Sequence, residues 1–137
     1  MKSIENLNFY IGGFFSGYER IIWQNNKINY QFFEKSFYDD EDPDKVLNET
    51  APSTADWEEF WKTVDALKVW SWEKDYYNED IKDGTQWGLR IKKQGKRGRK
   101  IFGSNAYPEP KGTFNSFIKA LNKLSNSKIE FWEEELQ

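Results

Sequence analysis

Asp83-Gly84-Thr85-Gln86-Trp87 opens a stretch that closes at Gly103-Ser104-Asn105-Ala106-Tyr107-Pro108. Asp83-Gly84 is a turn dipeptide, because glycine accepts positive φ and aspartate can bond its own backbone. Beyond it, Trp87, Leu89 and Ile91 alternate with Gly88, Arg90 and Lys92, the period of a strand with one apolar face. Gln94-Gly-Lys-Arg-Gly98 places glycines between that strand and Arg99-Lys-Ile-Phe102, so the two runs read as a hairpin. At Gly103-Ser-Asn-Ala-Tyr-Pro108 pairing is expected to stop, since Gly and Asn permit turning and Pro108 pushes Tyr107 towards extended backbone.

The pattern of Asp83, Gly84 and Trp87, then Gly103, Ser104, Asn105, Ala106, Tyr107 and Pro108, then an amphipathic helix, resembles a family of small uncharacterised bacterial domains. The resemblance covers roughly the C-terminal half. It implies a fold and carries no activity, cofactor or site residue with it.

Working back from the hairpin, residues 6–15 are rich in strand formers, with Leu7, Phe9 and Ile11 on one face. Gly12-Gly13 suggests a bulge or a close approach of another backbone. No Lys-Ser/Thr follows these glycines, which argues against a phosphate loop. Tyr18–Gln24 and Lys27–Phe33 are further strands around an Asn25-Asn26 turn, since Asn tolerates left-handed geometry. Ile21 and Trp23 share a face, and Ile28, Tyr30 and Phe32 alternate. Residues 35–52 read as a linker, acidic and proline-broken at Asp39-Asp-Glu-Asp-Pro-Asp44. That run lacks the glycine and the ligand spacing of a calcium loop.

Pro52-Ser53-Thr54 opens a helix with Ser53 or Thr54 as cap. Its apolar residues Trp57, Phe60, Trp61, Val64 and Leu67 fall on one face. Lys68–Tyr77 is dense in β formers and reads as a strand with Trp70 and Trp72 on one side. A second helix starts near Thr113, with Phe114, Phe117, Ile118, Leu121 and Leu124 on one face. The tail from 126 carries Ile129, Phe131 and Trp132 among glutamates, suited to docking or to a partner.

The expected fold is α+β: one domain over 1–137, an antiparallel sheet of about six strands, and two helices on one face. Halves 6–67 and 68–125 read as a duplicated βββα unit. Arg20-Ile21 echoes Arg90-Ile91, Gln24 echoes Gln94 and Phe32 echoes Phe102.

The chain has no Cys and no His, which removes disulfides, thiol nucleophiles, imidazole bases and ordinary zinc sites. No cofactor or metal is expected. The first residues lack the apolar core of a secretory signal and no run reaches membrane-spanning length, so a cytoplasmic protein is expected. Aromatics make up 18% of the residues, enough to build a core from rings and leave some for recognition.

Three functional readings follow. The first is a non-enzymatic protein-interaction module, of the inhibitor or immunity kind, acting on a nuclease or another bacterial or phage defence effector. Its binding residues would be Asp39, Asp40, Glu41, Asp42, Asp44, Trp132, Glu133, Glu134 and Glu135, an acidic patch with an aromatic anchor. The second is nucleic-acid binding through the hairpin at 90–100, with Arg90, Lys92, Lys96, Arg97, Arg99 and Lys100 on phosphates and Trp70, Trp72 and Trp87 stacking. The third is a carboxylate enzyme using Glu73, Asp75, Asp80 and Asp83. Oligomeric state is open, an edge-strand dimer included.

Overall fold

The computed structural model describes residues 4–13, 17–34, 42–78 and 84–131. Its strands are β1 (Ile4–Gly13), β2 (Gly17–Gln24), β3 (Lys27–Phe33), β4 (Lys45–Thr50), β5 (Asp75–Tyr77), β6 (Thr85–Lys93) and β7 (Arg99–Ser104). The helices are α1 (Thr54–Ala66) and α2 (Thr113–Ser125). The strands form one sheet in the order β4-β3-β2-β1-β6-β7-β5. The fold is therefore α+β as expected. The sheet has seven strands rather than about six, and it is mixed, because β5 runs parallel to β7.

The added strand, β4, lies in the stretch expected to be a linker. It pairs with β3 and forms one edge of the sheet. Its register moves from Tyr30↔Asn48 to Gln31↔Val46, which leaves Leu47 as an extra residue in a bulge. The bulge breaks the alternation that marks a strand, and it leaves Val46 and Leu47 both exposed. Bulges and charges on an edge also disfavour pairing with a second chain. Asn48 anchors the strand by donating to the carbonyls of Ser125 and Asn126 at the end of α2.

Lys68–Tyr77 departs further from expectation. Lys68 is left-handed at φ 59°, and Val69–Ser71 form a 3₁₀ turn, so only Asp75–Tyr77 is strand. Packing overrides β propensity here. Val69 and Trp72 are driven into the core. The Trp72 indole N–H donates to the Leu67 carbonyl, and the Arg99 guanidinium donates to the carbonyls of Trp70 and Trp72.

The other expectations trace to local chemistry. Asn25 and Asn26 take φ 55° and 63°, so the β2–β3 turn is left-handed at both central residues. Ser53 caps α1 in a full capping box with Asp56. α2 starts at Thr113 as expected, with Gly112 left-handed at φ 96° just before it. Gly12 fits where a Cβ would lie 2.3 Å from the Gly17 carbonyl oxygen, the close backbone approach read from its sequence. The halves differ in strand neighbours: β1 lies beside β2, whereas β5 lies beside β7.

The register defines the faces. Phe9 stands opposite Ile21 on one side and Leu89 on the other, and Ile11 stands opposite Trp87. Both helices cover this face. Phe117 of α2 meets Phe9, Trp72 and Phe60 of α1 at ring-centroid distances of 5.9, 5.4 and 6.3 Å. Rings from the sheet and both helices thus meet within an otherwise aliphatic core. Residues 126–131 dock on it without regular structure. The Asn122 side chain bonds both the N–H and the carbonyl of Ile129, and Phe131 lies 4.9 Å from both Tyr107 and Phe114.

Candidate nucleic-acid interface

The face turned away from the helices reads as a set of rungs. One runs Asn29, Ile22, Asn8, Arg90, Lys100 across five strands. The next runs Gln31, Arg20, Tyr10, Gly88, Phe102, Asp75. A third ends in Gln86, Ser104 and Tyr77. The two ends of this face differ in chemistry. At the β2–β3 end, Arg20 is buried, bonds the Gln31 side-chain oxygen at 2.7 Å and lies 4.9 Å from the Phe33 ring centre, so its charge is absorbed by the fold.

The β1–β6–β7 end is open and cationic. Arg90 stands directly opposite Lys100, and like charges so placed cost sheet stability. The sequence from 84 to 104 holds seven Lys or Arg residues and no Asp or Glu. Two shallow grooves occupy this end. One, of about 600 Å³, is lined by Asn8, Tyr10, Lys74, Arg90, Lys100 and Phe102 among others. The other, of about 650 Å³, lies at the hairpin tip among Trp70, Lys96, Arg97 and Arg99, and shares Lys74 and Lys100 with the first. Lys74, Arg97 and Lys100 have no carboxylate partner among the described residues.

The floor of the first groove is made of rings. Gly88 has no side chain, and a Cβ there would lie 2.2 Å from the Tyr10 ring, so Tyr10 lies flat across β6. Phe102 is the next residue along the same rung, and Tyr77 meets its ring at 5.8 Å. Beside Tyr10's rung, the Asn8 side-chain oxygen is buried with no hydrogen-bond partner among the described residues. A buried acceptor left in that state calls for an explanation.

The expected basic residues fall in three places. Arg90 and Lys100 are on the open face. So is Lys92, which pairs with Glu5 at 3.0 Å. Lys96 and Arg97 are exposed at the tip, with the Lys96 ammonium 5.9 Å from the Trp70 ring centre. Arg99 points to the helix side, where it holds backbone carbonyls. The expected stacking set is also redistributed. Trp72 and Trp87 are buried in the core, and Trp70 is partly buried, stacked on Trp61 and bonded to Asp65. The rings on the open face include Tyr10, Phe102 and Tyr77, with Tyr18 6.2 Å from Tyr10 on the β2 side. Their sequence signal was an aromatic residue in the polar phase of a strand, masked by the adjacent apolar Phe9 and Ile101.

Of the acidic set, Asp39, Asp40, Glu41, Trp132, Glu133, Glu134 and Glu135 lie outside the described residues. Asp42 is exposed, and Asp44 accepts the Glu34 N–H at 2.6 Å. Of the carboxylates considered for catalysis, Asp75 lies on the open face beside Phe102, while Glu73 precedes β5 and is exposed. Asp80 and Asp83 lie outside the described residues. The described residues include no group of three or more acidic side chains placed to hold a metal ion, and no helix long and apolar enough to cross a membrane.

Groups with displaced titration sit on the helix side. Burial pushes the Glu19 carboxyl above its ordinary range, against a hydrogen bond from the Tyr30 hydroxyl that lowers it, and the nearby Glu130 adds to the rise. Burial likewise pushes the Tyr30 phenol well up, helped by Glu19.

No protein-family model, curated protein or solved structure matches this chain.

Proposed function

We propose that this protein is a non-enzymatic binding module that engages nucleic acid through the open face of β1, β6 and β7. The observation that carries the reading is the cationic rung Arg90–Lys100, continuous through Lys74 with Lys96 and Arg97 at the hairpin tip. Clustered cations such as these, with Lys74, Arg97 and Lys100 lacking a carboxylate partner among the described residues, are what a phosphate backbone neutralises, with release of counterions. The net charge of −3 does not oppose this, because more than half of the acids lie in 39–44, in α1 and in the tail; Asp75 is the one carboxylate among the groove's lining residues.

The test is binding of fluorescein-labelled oligonucleotides followed by anisotropy between 50 and 200 mM salt. Affinity should fall steeply with salt. The Lys96→Ala/Arg97→Ala/Lys100→Ala variant should bind more weakly, with the slope of log K against log salt reduced by roughly one for each phosphate contact removed. Absence of binding at 50 mM salt, or an unaltered slope in the variant, refutes the reading. Capture of one nuclease-resistant protein from cell extract in place of nucleic acid would favour the inhibitor role, with the acidic stretch 39–44 as its contact.

A further inference from the structure

We propose that the nucleic acid bound is single-stranded, and that it crosses the open face with bases stacked on Tyr10 and Phe102. This rests on the preceding reading and narrows it. Cations alone would serve a duplex as well as a single strand. The floor does not. Tyr10 lies flat over Gly88, and Phe102 follows on the same rung, two strand spacings or roughly 10 Å away. Rings laid in the floor of a groove add affinity only by stacking on a base, and the faces of bases in a duplex are already covered by their neighbours. Sheet-borne aromatic platforms flanked by cations are the general solution for unpaired bases.

Two further observations fit a base rather than a bare phosphate. Asn8 lines the same groove, and its side-chain oxygen is buried without a hydrogen-bond partner among the described residues. An acceptor suits a ring N–H or an exocyclic amine and repels phosphate. The cations meanwhile flank the rings: Arg90 and Lys100 on the adjacent rung, Lys74 beyond β7. A single strand laid across β1, β6 and β7, parallel to these rungs, would place its backbone over the cations and its bases over the rings. Tyr77, 62% exposed and in contact with Phe102, extends the platform towards the β5 edge.

The experiment measures anisotropy for a 12-nucleotide dT oligomer, a 12-nucleotide mixed-sequence strand and the duplex of that sequence. It compares wild type with Tyr10→Ala, Phe102→Ala, Gly88→Ala and the tip variant Lys96→Ala/Arg97→Ala. Single strands should bind at least about tenfold more tightly than the duplex. Each ring-to-alanine change should weaken single-strand binding about 5- to 150-fold, the range for loss of one stacked base, and leave the salt slope unchanged. Gly88→Ala keeps every charge and ring but displaces Tyr10, so it should reproduce much of the Tyr10→Ala loss. It also guards against a Tyr10→Ala variant that fails to fold. The tip variant should do the reverse, lowering the slope and keeping the preference for single strands. Equal affinity for both forms, with ring variants at wild-type strength, overturns this inference and leaves nucleic-acid binding standing. Absence of binding to any probe overturns both.

Discussion

Gly88 and Gly103 stand on neighbouring strands, and each lies beneath an aromatic ring, Tyr10 on the open face for Gly88 and Trp87 on the helix-covered face for Gly103. The same substitution at each should have different consequences. At Gly103 an added Cβ would lie 2.0 Å from the Trp87 indole nitrogen and 2.2 Å from the adjoining ring carbon. Trp87 is fully buried and held by Phe114 at 4.5 Å and by Tyr76 at 5.9 Å, so the ring has nowhere to go. Its N–H donates to the Ala106 carbonyl at 3.0 Å, a bond that any displacement would break. Overpacking a core costs about 1–3 kcal/mol. Leaving a buried donor without its acceptor costs about 1–3 kcal/mol more. Gly103→Ala should therefore destabilise the fold by roughly 2–6 kcal/mol, out of a total that for domains of this kind is about 5–15 kcal/mol. At roughly 3–5 °C per kcal/mol for this size, the melting temperature should drop by at least about 6 °C and by as much as about 30 °C. At Gly88 the obstructing ring is Tyr10, which is half-buried on an open face and can tilt. Replacing a strand glycine by alanine also recovers about 0.5–1 kcal/mol of chain entropy, so Gly88→Ala should melt close to wild type. Thermal melts followed by near-ultraviolet circular dichroism, which reports the tryptophans, separate the two cases. If Gly103→Ala melts with Gly88→Ala, the argument from ring confinement is wrong.

Three other outcomes follow from single contacts. Ser53→Ala removes the oxygen that caps α1 and should cost about 0.5–2 kcal/mol in denaturant unfolding, with Ser53→Asp restoring most of it. Arg99→Met keeps the aliphatic stem but abandons the carbonyls of Trp70 and Trp72; a loss of about 1.5–3 kcal/mol is expected, with faster amide exchange confined to 68–77. Burial raises the Glu19 pKa above its ordinary 4.5, so the folded state favours the protonated carboxyl. Its stabilising contribution is then complete below that ordinary value and is lost as pH rises through the raised one. Relative to Glu19→Gln, wild type should gain stability between neutral pH and the mid-4 range; a pH-independent difference between the two melts would contradict this.

Where the chain obeys one local rule at a time, its sequence was readable. The faces of α1 and α2, the Asn25-Asn26 turn and the alternation of Trp87, Leu89 and Ile91 follow from period and turn chemistry, and each is found. The failures come where two demands meet in one segment. Val46-Leu47 breaks alternation because a bulge inserts one residue, so β4 looks like a linker. Lys68–Tyr77 carries β formers, yet its tryptophans serve the helix layer and its backbone carbonyls serve Arg99, so only three residues pair. The open face was legible in its charges and illegible in its rings. Trp70, Trp72 and Trp87 are not interchangeable with the rings of the open face. Indoles bring the largest apolar area, and these are the rings the core takes first.

That division has a consequence for how the hairpin can evolve and be altered. Along β6, odd positions enter the core and even positions reach the open face. Stability and the proposed recognition would thus be carried by alternate residues of one strand, held apart by the sheet itself. A rigid platform loses little entropy when a ligand binds, because its rings and cations are already placed. Changes at Arg90 or Lys92 should alter affinity and leave Trp87, Leu89 and Ile91 packed, whereas no change at those three can spare binding. Gly88 is the exception: it lies on the open face but bears no side chain, and its contribution is the space it gives Tyr10.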